Sequence, residues 1–336
     1  MAFGEIIPPG ESEFFRKIAT EIAEIQAERV RRGGPAERVT HVKQHLGAVG
    51  ELAVTAPPEA RHGVFAELDK RWPVYARFSN GSGRRQPDGA PDARGFALKL
   101  VGVPGSKLIE GLENEVTQDF LFIDSPALPF RGPEAFMTFL RAAKDGPAKL
   151  LPRLIAGFGF GTAFGLLWKA VTAEKMTSFA THPFYTAAPI AFGGTAAKLG
   201  LFPEPDGVAA RPVKGGDYLR DDLLGRLRAG ALVWSLRAQR FVDERSTPIE
   251  DASVEWKSPW LELGRLTLAQ QDVDTPRGRE IEALVAGLSF DPWHAIEAHR
   301  PLGAIMRARR AAYAPSVIGR RAAPEPRSVL ALETPL

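Results

Sequence analysis

An α+β fold, built round one antiparallel β-barrel with peripheral and C-terminal helices, is what this sequence predicts. Three observations lead there. Short β-rich segments bounded by Gly, Pro and Asp clusters dominate much of the 336-residue chain. Helical patterns gather near the ends and in one central block. Helix and strand alternate too rarely for a doubly wound parallel sheet. The G-x-G run at Gly157 to Gly161 follows no strand and precedes no acidic residue at nucleotide-binding distance, so it is not a dinucleotide fingerprint.

The elements follow in order. Residues 11–31 read as an amphipathic helix, because Phe14, Ile18, Ile22 and Ile25 recur at three- and four-residue spacing between Glu and Arg. Gly33-Gly34-Pro35 ends it. Such an arm needs a partner surface, its own barrel or another subunit. Strands are expected at Gly47 to Thr55, Trp72 to Ser79, Arg94 to Val101 and Gln118 to Ile123, with a helix at 58–69 after Pro57-Pro58. From 132 to 173 the pattern is helical and broken by glycine. Strands return at Ala231 to Val242 and Leu261 to Ala269, and helices at 277–288 and 301–314 follow. No internal repeat is present. The reading is a single domain: an arm at 1–35, a barrel core at 36–275 with a helical insertion at about 132–230, C-terminal helices at 276–321, and a tail at 322–336 extended on the surface.

Composition narrows the function. A hydrophobic content of 44% and a charged content of 25% are ordinary for a globular protein. The net charge of +3 is spread among interleaved Arg, Lys, Glu and Asp, which argues against nucleic-acid binding. The absence of cysteine removes disulfides, zinc thiolates, iron–sulfur clusters and a thiolate-ligated haem. It also fits a reducing compartment. With no apolar signal-type run near Met1, the expected location is cytoplasmic. The most apolar stretch, Leu154 to Trp168, has 15 uncharged residues and four glycines, too short and too broken for a transmembrane helix. It reads as a buried or interfacial segment, with peripheral contact to a lipid or an apolar substrate left open.

Four regions carry residues with chemical potential. Arg38-Val-Thr-His41 stands just before a strand. In the strand from Val74 to Ser79, alternation puts Tyr75, Arg77 and Ser79 on one face and Val74, Ala76 and Phe78 on the other. An Arg and a Ser side by side on a barrel face need polar partners or an anion. The third region is Asp92-Ala-Arg-Gly-Phe-Ala-Leu-Lys99. In the fourth, a late helix, Arg309 and Tyr313 are four apart and share a face. A cation there lowers the cost of a phenolate, the form in which tyrosine binds ferric iron.

Together these regions resemble the catalase family. Catalases have Arg-x-x-His ahead of a Gly-rich strand ending in Val-Thr; here stand Arg38 to His41, Gly47-Ala-Val-Gly50 and Val54-Thr55, with one extra residue. Their Val-Arg-Phe-Ser strand is matched by Ala76 to Ser79, and their Asp-x-Arg-Gly-Phe-Ala-x-Lys by Asp92 to Lys99 at every fixed position. Arg309, Tyr313 and Arg320 fit their C-terminal Arg-x-x-x-Tyr with a further Arg seven residues on. Thr247 to Trp256 sits where catalases have a Pro-rich crossing toward a Trp. The resemblance runs from about residue 36 to 321.

The resemblance implies a haem b protein using peroxide. His41 would be the distal acid–base and Ser79 its hydrogen-bond partner. Tyr313 would be the proximal iron ligand, with Arg309 holding it ionised. Arg38, Arg77 and Arg320 would pair with the haem propionates, and Phe130 would lie over the haem. Two departures matter. The position of the distal Asn falls at Val116, leaving Thr117, Gln118, Asn114 or nothing in its place. Thr40 precedes His41 where true catalases have Val, as it does in relatives that rearrange fatty-acid hydroperoxides. The expected activity is therefore that of a peroxidase with weak hydrogen peroxide disproportionation, acting on hydrogen peroxide or organic hydroperoxides, in some cases with an organic electron donor. A hydroperoxide isomerase or lyase and a non-enzymatic haem sensor are the alternatives. A homo-oligomer is compatible with the arm and with the resemblance.

Overall fold

The computed structural model describes residues 4–143, 147–164, 175–204 and 215–332. Nine strands make one antiparallel sheet: β1 (Gln44–Val54), β2 (Arg71–Asn80), β3 (Arg94–Val101), β4 (Thr117–Ile123), β5 (Phe184–Thr186), β6 (Ile190–Phe192), β7 (Thr195–Pro203), β8 (Leu232–Arg240) and β9 (Trp260–Leu268). The order β5-β4-β3-β2-β1-β9-β8-β7 closes on itself through the β5–β7 pairing, giving an eight-stranded barrel, with β6 appended to β7. Closure leaves those eight strands without a free edge.

Alternation along each strand sends bulky apolar side chains inward. Phe78 and Phe96 meet at 4.2 Å between ring centroids, Phe96 and Trp234 at 5.2 Å, and Phe96 and Phe184 at 5.6 Å. The interior is thus a packed core rather than a pore. The polar face of β2 points outward. There Tyr75 packs against Ile281, Val285 and Leu288, from the helix α5 (Pro276–Gly287) and the residue after it.

The other helices are α1 (Glu11–Arg31), α2 (Pro133–Ala143), α3 (Pro147–Phe158), α4 (Tyr218–Ala229) and α6 (Ala304–Gly319). α1 has the expected bounds. Its partner surface belongs to its own chain: Phe15, Ile18 and Ile22 pack with Met137 of α2, Ala308 of α6 and Val39. Gln26, buried on the same face, donates to the carbonyls of Glu37 and Ser316.

Several expectations need amendment. Residues 58–69 form two short 3-10 turns, Pro58–Ala60 and Gly63–Phe65, instead of a helix. Gly63 lies at φ +56° against the His299 ring, a conformation and a closeness that a helical side chain could not share. The stretch expected to be helical from 132 to 230 also holds β5, β6 and β7. Two of these strands have three residues each, below the length at which alternation declares itself. The last helix runs to Gly319 rather than 314.

The tail does not simply lie on the surface. The Glu325 carboxylate is buried, and Val329, Leu330 and Leu332 pack beside Tyr75 and α5. Residues 165–173 of the expected helical block, 165–168 of the apolar run and 333–336 of the tail lie outside the described residues. Among the described residues, no helix is long and apolar enough to cross a membrane.

Candidate functional site

The outer face of β1 and β2, the loop before β1 and the C-terminal helices together frame the candidate site. His41 sits on that loop at φ +56°, the left-handed region that non-glycine residues rarely enter. Such a conformation costs about 1–3 kcal/mol and persists only where the surroundings fix it. Here the His41 N–H donates to the Gly81 carbonyl at 2.9 Å, and its own carbonyl accepts from Arg77 at 2.7 Å. Its Nδ1 lies 3.0 Å from the Ser79 hydroxyl. Burial, with Arg77, Arg309 and Arg38 nearby, pushes the imidazole down to about 3. The ring is therefore neutral near pH 7, as a group that accepts a proton must be.

The third motif acquires a physical meaning. A Cβ on Gly95 would stand 2.7 Å from His41 Cε1 and Nδ1 and 2.9 Å from Ser79 Oγ, so only glycine leaves room for that pair. Arg94, buried, donates to Asn80 Oδ1 at 2.6 Å and to the carbonyls of Asp88 and Ala90, tying the loop to β2. Phe96 joins the core. Lys99, fully buried, pairs with Asp119 and Glu325, each at 2.7 Å.

Arg309 and Tyr313 share one face of α6, and the Arg309 guanidinium donates to the Tyr313 hydroxyl at 2.7 Å. Arg38 and Arg320 converge from opposite ends of the chain on the C-terminus of α5. Arg38 donates to the carbonyls of Ala286 and Leu288, and Arg320 to those of Gly287 and Leu288. Arg77 donates to Gln44 Oε1 as well as to His41. Among the described residues none of these three arginines has a carboxylate partner.

Burial and mutual repulsion depress all three: Arg77 to about 9, through burial and then Arg320, and Arg320 to about 10 through burial. Arg38 falls well below its ordinary value through burial, Arg77 and Arg320. Guanidinium does not give up its proton in proteins. The three charges therefore remain as unrelieved repulsion that a bound dianion would neutralise. The trio lies within electrostatic reach of Tyr313, whose charge would act on Arg38 and Arg77.

The structure thus brings His41, Ser79, Arg38, Arg77, Arg309, Tyr313 and Arg320 into one region. Thr40 adjoins it, half-buried, its hydroxyl without a hydrogen bond among the described residues. Phe130 packs elsewhere in its surroundings, among Phe136, Phe139 and Phe158 of the α2–α3 hairpin. Thr117 and Gln118 have other duties: Thr117 meets His294 at 2.6 Å and Glu325 at 2.8 Å, and Gln118 accepts the Ile296 N–H. Asn114 is exposed. Sequence reading passed over Gly95 as a steric requirement, although the unbroken motif flagged the position. It also missed the buried set Lys99, Asp119, His294 and Glu325, whose members are too far apart in sequence to show a spacing.

Comparison with known proteins bears on the fold and the sequence as a whole. The family model described as Catalase matches residues 17–164. A catalase-related peroxidase of Mycolicibacterium paratuberculosis is 29% identical over 260 residues, covering 73% of this chain and 77% of that protein. In sequence, this chain is thus similar to catalases over its first half and to a catalase-related peroxidase over most of its length. A catalase of Schizosaccharomyces pombe is 34% identical over 114 residues, which is 33% of this chain and 20% of that catalase. Among solved structures, a fungal catalase matches at TM-score 0.66 and 18% identity over 88% of this chain and 61% of its own. Catalase A from Saccharomyces cerevisiae matches at TM-score 0.66 and 15% identity over 88% and 62%. The catalase-like barrel is common to all, and this chain spans about three-fifths of the length of those solved catalases.

Proposed function

We propose that the chain is a haem-dependent oxidoreductase acting on hydrogen peroxide or an organic hydroperoxide, with Tyr313 as the residue that would hold the iron of a b-type haem and His41 as the proton-transfer group. The observation that carries this reading is the set of three arginines without carboxylates beside an arginine-bound tyrosine. That donor set suits a dianionic, iron-bearing ligand: Arg38, Arg77 and Arg320 for its two carboxylates, and Tyr313 for its metal. When bound, a ferric haem supplies the redox-active iron at which a peroxide O–O bond is broken.

The chain's own residues supply the rest. His41, neutral at pH 7, takes a proton from the incoming hydroperoxide at Nε2 and returns it to the departing oxygen. For Nε2 to accept, the ring proton must sit on Nδ1, where it donates to the Ser79 hydroxyl; that bond persists in the imidazolium and holds the ring's direction. The hydrogen bond from Arg309 fixes the direction of the Tyr313 oxygen that would meet the metal. The left-handed backbone at His41 fixes the approach of the ring and limits how far it can follow a displaced substrate.

Thr40 favours a second reading, rearrangement of a fatty-acid hydroperoxide without an added electron donor. Its hydroxyl, adjacent to His41 and without a protein partner among the described residues, can compete for the hydrogen bonds of the imidazole or of the substrate. Product analysis separates the two: an allene oxide or aldehyde formed with no donor present supports rearrangement.

The test of the main reading is the visible spectrum of the protein produced with a haem supply, compared with Tyr313→Phe. A high-spin ferric spectrum of the tyrosinate type, lost in the variant, is the expected result. A colourless protein that takes up no added haemin overturns the reading.

A further inference from the structure

One buried amide of the N-terminal arm joins two walls of the candidate site. Gln26 lies on the inner face of α1 and is 3% exposed. Its Nε2 donates to the Glu37 carbonyl at 2.7 Å and to the Ser316 carbonyl at 3.2 Å, which uses both of its hydrogens. Glu37 stands four residues before His41, on the same loop, and adjoins Arg38. Ser316 stands three residues after Tyr313, in the last turn of α6. Its carbonyl is one of the helix-end acceptors, and the Arg320 N–H reaches it only at 3.3 Å.

The surroundings are shaped for this amide. A Cβ on Gly319 would stand 2.3 Å from Gln26 Oε1, so the end of α6 leaves room for the amide only because the residue there is glycine. One turn along α1, Arg29 donates to the carbonyls of Arg38 at 2.9 Å and Gly83 at 2.8 Å. α1 thus grips two successive carbonyls of the His41 loop, and through Gln26 it also grips the helix that carries Tyr313. Packing does not call for an amide at this position, since Phe15, Ile18 and Ile22 already supply apolar contact with Ala308 and Val39. A buried amide is tolerated where its hydrogen bonds are met, and here they are met by the two walls.

We propose that Gln26 is a positioning residue whose amide sets the separation of the His41 loop from the Tyr313 helix. It acts through the backbone of Glu37 and Ser316, not on the reacting atoms. What that separation serves rests on the reading of His41 and Tyr313 given above: it is the space in which a haem would lie.

The chain has no cysteine, so nitroxide labels attach only where Ala36→Cys and Ala314→Cys put them, at exposed positions of the loop and of α6. Dipolar electron paramagnetic resonance on the full-length labelled protein, before haemin is added, reads the separation. Gln26→Met removes the amide at similar volume, Gln26→Glu keeps the shape but cannot donate to two carbonyls, and Gly319→Ala displaces the amide without altering α1. A narrow distance distribution that is broadened or shifted in all three variants is expected. Haemin transfer to excess apomyoglobin should then be faster by on the order of tenfold, the factor that two ordinary hydrogen bonds supply. An unchanged distribution in Gln26→Met or Gly319→Ala overturns the inference. So does a distribution that Gln26→Met alters and Gln26→Glu preserves, or a changed distance with unchanged haemin transfer. Thermal melting shows which variants fold, and Gly319→Ala, at an exposed helix end, decides the matter if substitutions in α1 do not. Failure of the unmodified protein to bind haemin refutes the reading of Tyr313 instead, and the distances alone then decide the role of Gln26.

Discussion

Adding a single methyl group at Gly95 should disable the site while leaving the barrel folded. A Cβ there would stand 2.7 Å from two atoms of the His41 ring, where ordinary contact begins at 3.4 Å. The imidazole must therefore move by about 0.7 Å, more if the strand does not yield. It cannot do so by shifting its backbone, which is held on one side by the Gly81 carbonyl and on the other by Arg77. The movement falls on the contact with Ser79, already 3.0 Å long, and that hydrogen bond breaks. A displacement approaching 1 Å at a proton-transfer group costs on the order of 100-fold in rate, and overpacking of this size costs about 1–3 kcal/mol in stability. The assay is the initial rate of peroxide consumption by Gly95→Ala at matched haem content, alongside urea denaturation. A rate within threefold of the unmodified protein would refute the claim that Gly95 positions His41.

Two further predictions concern the support of the site. Lys99→Met should lower stability by about 3–5 kcal/mol, because it leaves Asp119 and Glu325 buried without their shared cation; a urea midpoint close to that of the unmodified protein counts against the network. His45 and His299 are both pushed down to about 4, chiefly by burial, so between about pH 6.5 and 4 the unfolded chain binds protons that the folded one does not. Stability should therefore fall as the pH drops through that window, by about 1.4 kcal/mol per pH unit for each group. His299→Gln should flatten the fall, and a stability profile without slope from pH 6.5 to 5 contradicts the assignment.

Much of the frame was readable in the sequence, and the reasons are local. Six of the nine strands and the first and last helices announced themselves through alternation or helical spacing of apolar residues. The Arg94-Gly95-Phe96 motif was readable because its requirements are packed into adjacent positions. β5, β6 and β7 were not readable, since they are short or rich in Ala and Gly and owe their form to neighbours on the closed sheet. The 58–69 segment looked helical by composition, but contact between Gly63 and His299 overrides propensity there. The convergence of Arg38 and Arg320 on the carbonyls after α5 joins residues from opposite ends of the chain, and no spacing rule reaches that far.

The barrel's wiring also has a consequence for how the protein is made. β1 is completed by pairing with β9, and Lys99 waits for Glu325, 226 residues later. A nascent chain emerging from the ribosome therefore presents β1 to β4 as an open ribbon, with both borders available for pairing and a lysine in its wall that lacks one of its two carboxylates. Loop-closure entropy delays such distant pairings until the partner segments exist. Synthesis at about 5–20 residues per second holds that unfinished ribbon for roughly ten seconds or more. Only when β9 and the tail have been made can β1 gain its second neighbour and Lys99 its second carboxylate.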